Sequence, residues 1–330
     1  MPEPFVLLLV LFLILAAEFV NGFHDAPNAI ATVVSTRVLS PQRAVTMAAV
    51  LNVVGALSTG TAVAATVGKG IIRPEAIDLA TVGAAMVAIT TWNIFTWRLG
   101  LPSSSTHALV AGLTGASMVA AGPGVLLWAG WEKVLLGLVF SSILGFTVGI
   151  LVMLSIFWIL RRADPLRTRK TFGKLQIVSS AIMAFSHGSN DGQKFMGVFA
   201  LALLLGGTVA SFSVPFWVVL LCGVTMGAGT IFGGWRILKT MGFKLTRLEP
   251  VQGFAAETSA SATILLASHF GIPISTTHTI STSIMGVGAS SRFSAVRWGL
   301  TRRIVIAWLL TFPACALLGA LATLILKRVF

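Results

Sequence analysis

The chain has little charge. Only 10% of its 330 residues are Asp, Glu, Lys or Arg, whereas an average soluble domain has about 25%. It has no tyrosine and two cysteines, Cys222 and Cys315, which both lie in apolar stretches. Two such cysteines are typical of packing residues, so neither a disulfide framework nor a cysteine-rich metal site is expected. The scarcity of charge argues against a soluble domain.

Apolar sequence is abundant instead. Hydrophobic residues make up 56% of the chain, and the mean hydropathy is +0.93. Several runs approach or exceed the roughly 20 apolar residues that span a bilayer. The first run, 5–20, contains one acid, Glu18, and lacks a small-residue cleavage site, so it is not expected to be a removed signal peptide. These features predict an all-α integral membrane protein whose surroundings are the lipid bilayer.

The net charge of +13 could indicate nucleic acid or an anionic substrate. Placement argues against nucleic acid, because most basic residues lie in four short polar segments, as expected of cytoplasmic loops. These residues are Arg37 and Arg43; Arg161, Arg162, Arg167, Arg169, Lys170 and Lys174; Arg236, Lys239, Lys244 and Arg247; and Arg292, Arg297, Arg302 and Arg303. The positive charge therefore mainly orients the chain in the membrane.

Two polar motifs each occur twice, in the same order. The first, Asn/Asp-containing, occupies 21–28 and 187–194, and the second, Pro-Ser/Thr-His, occupies 100–107 and 271–278. This duplication predicts two membrane repeats with matched irregular points, which in transporters mark the binding site. We place the repeats at 1–160 and 175–330, joined by a basic cytoplasmic linker at 161–174.

Loop charge predicts the path of each repeat. Each begins with a helix broken at its first motif, followed by a plain helix, a re-entrant-type helical hairpin tipped by the second motif, and a full spanning helix. The predicted broken helices are 4–36 and 175–210, the hairpins 76–121 and 251–291, and the last helices 131–160 and 303–326. Because the first repeat starts outside and ends inside, the second is inverted and both termini are predicted outside.

The hairpin tips suit an oxyanion. Hydroxyl side chains follow a proline and open a new helix, where free backbone N–H groups and the positive end of the helix dipole bind anions. The candidate anion ligands are Ser104, Ser105, Thr106, Ser275, Thr276 and Thr277. Simple helix capping is the alternative, which the duplication makes less attractive.

The acids suit a cation. Asp25 and Asp191 occupy matching positions in the first motif, and carboxylates inside a membrane are usually functional. With Asn28 and Asn190 they would give a hard cation its oxygen ligands, and Glu257 is a further candidate for coupling Na⁺ or H⁺. Glu18 is a weaker candidate.

Five other side chains are predicted near these sites. Lys194 either contacts the anion or pairs with Asp191. Supporting hydrogen bonds are expected from the remaining four, which are His24, His107, His278 and Gln193.

At these residues the chain resembles the inorganic phosphate transporter (PiT) family. The resemblance rests on 22–29 and 188–194, on the paired tips 102–107 and 273–278, and on Gly-Phe-x-x-Glu at 253–257. It implies an inverted-repeat carrier of inorganic phosphate coupled to Na⁺ or H⁺, working in the cell (inner) membrane as a homodimer and without a cofactor. Bacterial members also imply transport of a neutral metal–phosphate complex. His24 departs from the family's usual Asn, which alters the first cation site.

Three alternatives stay open. The same carrier could select sulfate. A channel would show uptake that does not saturate and needs no cation gradient. An intramembrane hydrolase would use Ser104 or Ser105 with His107, but duplication of the whole motif is not expected of a nucleophile that needs one oriented base. No enzymatic activity is therefore predicted.

Overall fold

The computed structural model describes residues 3–329, which form twelve α-helices joined by short connections. The longest contain more than thirty residues each, and α3 and α9 are single turns that continue as π-helical turns, Thr66–Gly70 and Lys239–Lys244. The helices are α1 Glu3–Ser35, α2 Pro41–Ser58, α3 Ala62–Ala65, α4 Leu79–Leu99, α5 Ser105–Ala121, α6 Trp128–Leu160, α7 Pro165–Leu205, α8 Phe216–Phe232, α9 Trp235–Leu238, α10 Pro250–His269, α11 Thr276–Ser291 and α12 Trp298–Val329.

The predicted membrane class is confirmed. Four of these helices, α1, α4, α6 and α12, are long and apolar enough to cross a bilayer. The count rises to six if α2 with α3, and α8 with α9, each form one bent span. The chain is therefore a multi-pass helical membrane protein. Of the predicted linker, only residues 161–164 lie outside helices, because α7 already begins at Pro165.

The predicted breaks at the first motif are wrong. Helix α1 runs unbroken through 21–28, with Pro27 inside it, and α7 runs unbroken through 187–194. The motif does not open the backbone because its polar side chains find partners on other helices, so the helical hydrogen bonds need not be replaced. A proline inside a membrane helix removes one such bond and is tolerated. At 1.5 Å per residue, α1 is about 50 Å long, so it must tilt or project beyond the roughly 30 Å hydrocarbon core.

Sharp bends occur instead in the elements predicted as plain helices. The chain turns by 73° between α2 and the segment Ala62–Gly70, and by 62° between α8 and the segment Trp235–Lys244. The basic residues of 236–244, assigned from sequence to a loop, therefore lie partly in a short helical segment. The two bends occupy corresponding places in the two halves.

The predicted hairpins are confirmed. Helices α4 and α5 form the first, and α10 and α11 the second. Each turn begins at a glycine with a φ of +66°, Gly100 and Gly271, a backbone conformation that residues with a Cβ rarely adopt. The tips meet inside the molecule, where the Thr106 hydroxyl donates to the Ile274 carbonyl at 2.9 Å.

The two halves pack reciprocally. The hairpin arm α5 lies on α12 and its counterpart α11 lies on α6, while α1 lies on α8 and α7 lies on α2. Small residues permit these close approaches: Gly115 abuts the backbone of Ala316, and Gly229 abuts that of Phe19. This exchange fits two related repeats. Their opposite orientation in the membrane stays a prediction.

The apolar core has two parts. One contains the start of α1 and the end of α7, for example Ile14 and Phe199, and the other contains the end of α1 and the first half of α7, for example Ile30 and Met183. The polar motifs of α1 and α7 lie between these two parts of the core, and the hairpin tips contact the motifs there. The fold thus places the candidate site in the middle of the molecule.

Candidate functional site

The structure brings the two motif aspartates together. One ligand atom from each of Asp25, His187 and Asp191 lies within 4.8 Å of the others. Both aspartates are almost fully buried, at 2% and 1% exposure. Among residues 3–329, no group donates a hydrogen bond to the Oδ2 atom of Asp25. Because a buried carboxylate oxygen without a donor is costly, this cluster has the composition and geometry to hold a cation.

The second hairpin tip contacts both aspartates. The Thr276 hydroxyl donates to Asp191 Oδ2 at 3.0 Å, and the Thr277 hydroxyl lies 3.5 Å from Asp25 Oδ1. Asn28 donates to the hydroxyl of Thr277 at 2.9 Å and to that of Thr276 at 3.4 Å. Candidate anion ligands and candidate cation ligands therefore touch one another.

Lys194 links the two tips. Its ammonium group is ion-paired with Asp191, donates to the Thr106 hydroxyl at 2.6 Å and donates to the Ile274 carbonyl at 2.9 Å. Its side chain is 2% exposed. Of the two roles left open by the sequence, pairing with Asp191 is the one seen in this conformation, although the ammonium group also contacts the Thr106 hydroxyl of the first tip.

The residue before each aspartate anchors the motif to its neighbouring hairpin. His24 Nδ1 lies 2.6 Å from Asp25 Oδ1, and its Nε2 lies 3.0 Å from the hydroxyl of Thr96 at the end of α4. Asn190 donates to the Ser268 hydroxyl at 2.9 Å, near the end of α10. His24 and Asn190 thus hold corresponding hairpins through different chemistry.

The serines of the tips divide into two groups. Ser104 and Ser275 are helix N-caps, whose hydroxyls accept from the backbone N–H of His107 at 3.2 Å and of His278 at 3.1 Å. The capping interpretation therefore applies to these two. Ser105 accepts from the Asn93 side-chain amide at 3.2 Å, which leaves its own hydrogen free to donate.

Three predicted supporting residues lie away from the aspartates. The rings of His107 and His278 pack against each other with centroids 4.5 Å apart, and His278 stacks on Trp308. Gln193 accepts from the backbone N–H of Val63 at 2.9 Å. It therefore stabilises the bend between α2 and α3.

Glu257 lies in a separate polar cluster. Its carboxylate accepts from the Thr32 hydroxyl at 2.5 Å, from the Gln176 amide at 3.3 Å and from the Ser179 hydroxyl. Thr32 is seven residues beyond Asp25, so this cluster lies about 10 Å further along α1. The sequence identified Glu257 as a candidate without its partners, and the structure adds three side chains that donate to its carboxylate.

Sequence reasoning missed His187 as a site residue. Its Nε2 lies 3.2 Å from Asp191 Oδ2, and its Nδ1 lies 3.1 Å from Asn52 Oδ1. The spacing of four residues between His187 and Asp191 places them on one helix face. The spacing is visible in the sequence, but it places the two side chains on one face only if the motif is helical, and the sequence analysis predicted a break there.

Two buried aspartates on long membrane helices, faced by hydroxyl-bearing hairpin tips, define the chain as a membrane transporter with a central polar site. The chain belongs to the phosphate transporter family, whose family model matches residues 21–319. The intramembrane hydrolase hypothesis is accordingly abandoned, and the hydroxyl of Ser104 serves as a helix cap.

Relatives of known name agree with this assignment. The chain is 48% identical over 305 residues to a probable low-affinity inorganic phosphate transporter of Rhizobium meliloti, covering 92% of this chain and 91% of that protein. It is 42% identical over 326 residues to a protein of the same description from Bacillus subtilis, covering 98% of each. A solved structure, described as the sodium-dependent phosphate transporter, has a TM-score of 0.89 and 26% identity, covering 98% of this chain and 100% of that one.

Proposed function

We propose that this chain imports inorganic phosphate in symport with a cation, Na⁺ or H⁺, by alternating access across the cell membrane. The observation that carries the proposal is the convergence of Asp25 and Asp191 with the tip hydroxyls of Thr276 and Thr277 in one buried cluster. Family membership supports phosphate as the anion. The solved relative is described as sodium-dependent, which supports Na⁺ as one of the two cations to test.

The cation binds first in this mechanism. Two aspartates beside an anion site repel phosphate unless positive charge neutralises them. Asp25 Oδ2 has no donor within residues 3–329, and Asp25, His187 and Asp191 can converge on one ion. Carboxylate oxygens suit Na⁺, and an imidazole nitrogen also suits a divalent ion, so transport of a metal–phosphate complex is a variant of the same proposal.

Cation binding frees the anion ligands. In the closed cluster, the Asp191 carboxylate pairs with the Lys194 ammonium group and accepts a hydrogen bond from the Thr276 hydroxyl. A cation that takes over the Asp191 carboxylate releases these donors toward phosphate. Together with Thr106, Thr277 and Ser105 they would supply hydroxyl donors and one positive charge to the oxyanion. Coupling follows because the donors become available only when the cation is present.

Alternating access requires the hairpin tips to separate. The cluster is packed shut: Thr106, Lys194 and Thr277 are each 2% exposed. Tips that meet in the middle of the molecule can open toward one face or the other, as expected if the two repeats are inverted. The proposal keeps both termini outside, and keeps 1–160 and 175–330 as the two repeats.

Uptake into proteoliposomes tests the function. Radiolabelled phosphate uptake is measured with an imposed Na⁺ gradient and, separately, with an imposed pH gradient, and unlabelled sulfate is added as competitor. We expect saturable accumulation with one of the gradients and little competition by sulfate. Uptake that is linear in phosphate and indifferent to both gradients would show a channel and contradict the proposal.

A further inference from the structure

One buried acid is used neither by the aspartate cluster nor by the Glu257 cluster. Glu18 lies in the middle of α1 and is 0% exposed. Its Oε2 accepts from the Asn21 side-chain amide at 3.2 Å. In the described part of the chain, no group donates to its Oε1 or to the equally buried Oδ1 of Asn21. The two side chains are in contact, and each has one buried oxygen acceptor left unsatisfied. Oxygen atoms of this kind are the ligands that a hard cation prefers.

Among residues 3–329, no basic group near Glu18 is free to neutralise it. The charged groups that interact with it are Asp191 and Lys194 on α7 and Asp25 on its own helix, and the thiol of Cys222 on α8 is a further neighbour. Lys194 is already ion-paired with Asp191. An ionised carboxylate buried with two other acids and one committed ammonium group is strongly disfavoured, so Glu18 needs a positive partner from solution.

Glu18 belongs to a continuous polar stripe on α1. Glu18, Asn21, Asp25, Asn28 and Thr32 follow one another at spacings of three and four residues, which places them on one face of the helix. Asp25 is about 10 Å from Glu18 along the axis, and Thr32, which bonds to Glu257, is about 10 Å beyond Asp25. The two glutamate clusters therefore lie on opposite sides of the central aspartates.

The second repeat lacks this feature. Counting from the matched aspartates, the positions of Glu18 and Asn21 are occupied in α7 by Ala184 and His187. Ala184 has no polar atom to offer, and His187 contacts Asp191. If the Glu–Asn pair served only to stabilise the repeat, it would be expected in both halves. Its presence in one half alone indicates a functional role.

We propose that Glu18 and Asn21 form a second cation site, which takes a proton or Na⁺ and adds one coupled cation to each transport cycle. This inference rests on the proposed function. With the N-terminus outside, the site lies on the outer side of the aspartates, where an entering cation meets it first. The ligands are Glu18 Oε1 and Asn21 Oδ1.

Glu18→Gln tests the site, because glutamine keeps the shape of the side chain and removes its charge. The number of cations moved per phosphate is measured in proteoliposomes from the membrane potential or gradient at which net phosphate flux reverses. We expect the variant to lose one cation per phosphate while its apparent Km for phosphate changes less than about twofold. The matched control is Glu132→Gln, the same change at an exposed position of α6, which should leave the stoichiometry unchanged.

The bound cation is identified by the gradient that loses its effect. Reduced coupling to the pH gradient alone assigns a proton, and reduced coupling to the Na⁺ gradient alone assigns Na⁺. An unchanged stoichiometry in Glu18→Gln overturns the inference and leaves the proposed function intact. Wild-type uptake that ignores both gradients overturns the proposed function itself.

Two further variants keep the test decisive if Glu18→Gln fails to reconstitute. Glu18→Asp keeps the charge but withdraws it by one methylene, and Asn21→Ala removes the second oxygen. Each should raise the cation concentration for half-maximal uptake by threefold or more, without changing the phosphate dependence at saturating cation. A cation dependence equal to that of wild type in both variants overturns the inference.

Discussion

The two central aspartates occupy different environments although they hold matching positions in the repeats. Asp191 is contacted by the ammonium group of Lys194, the hydroxyl of Thr276 and the imidazole of His187. Asp25 is contacted by the His24 ring and, at longer distance, by the Thr277 hydroxyl, and its Oδ2 has no donor in the part of the chain that the structure describes. The difference arises because the first repeat has Asn where the second has Lys. In the proposed mechanism, a cation therefore reaches Asp25 first and then takes over Asp191 from Lys194.

Asp25→Asn should abolish cation-coupled phosphate uptake while leaving the protein folded. The amide keeps the size of the side chain but removes the charge that attracts the cation, so the anion donors are no longer released. Gradient-driven uptake into proteoliposomes measures the effect, and we expect a loss of roughly 100-fold, the upper end of the loss that follows removal of an outer-shell partner at a metal site. Asp164→Asn, an exposed helix cap, is the control. Normal uptake by Asp25→Asn would remove this carboxylate from the mechanism.

Ser105→Ala combined with Thr276→Ala should raise the apparent Km for phosphate. Each hydroxyl supplies one hydrogen bond, and two lost bonds to a charged ligand cost about 3 kcal/mol, or roughly a 100-fold rise. The control is Ser155→Ala with Thr225→Ala, whose hydroxyls bond to carbonyls of their own helices. An unaltered Km in the Ser105/Thr276 variant would clear both hydroxyls of anion binding.

At the scale of the helices, the sequence predicted some helix interruptions in the correct segments and misplaced others. The proline–serine tips were located correctly, because a proline followed by hydroxyl residues is a local signal for the start of a helix. At the Asn/Asp motif, by contrast, the sequence predicted a helix break, whereas α1 and α7 continue through the motif. Its polar side chains resemble a loop in sequence, but Asn28, Asp191 and Lys194 are satisfied by the hairpin tips. Their partners lie far along the chain, so the continuity of α1 and α7 could not be read locally.

Close helix packing at Gly115 should be sensitive to a single methyl group. A Cβ at this position would collide with the backbone of Ala316 on α12, whereas a Cβ at Gly124 meets nothing. Gly115→Ala should therefore lower stability by about 1–3 kcal/mol, despite the better helix propensity of alanine. Thermal unfolding of the detergent-purified protein measures the change, with Gly124→Ala as control. Equal melting temperatures for the two variants would contradict the tight α5–α12 contact.

At the scale of the whole molecule, loop charge predicts the orientation. Most basic residues lie in segments predicted to be cytoplasmic, so the positive-inside rule predicts both termini outside. The reciprocal packing of α5 on α12 and α11 on α6 fits two inverted repeats, and so do hairpin tips that meet in the middle. The packing by itself does not say which end faces the cytoplasm.

Epitope tags at the two termini should be accessible to antibody in intact cells or spheroplasts. A tag inserted at 161–164, between α6 and α7, should be protected until the membrane is permeabilised and serves as the control. A protected N-terminal tag would overturn the assigned orientation, and termini on opposite sides would rule out an even number of crossings.

The sequence alone determined the membrane environment, the duplicated motifs and the hairpins of this protein. Hydropathy, motifs and helix-start residues can each be recognised within a few neighbouring positions. Only the tertiary structure decided which groups pair. It joined Lys194 to the hydroxyl of Thr106, brought Asp25 to its counterpart, placed the bends after α2 and α8, and left the Glu18 Oε1 atom without a donor among residues 3–329. Those outcomes depend on side chains contributed by distant helices. A buried charge is stabilised by whatever the fold puts beside it, and its neighbours in sequence do not specify that partner.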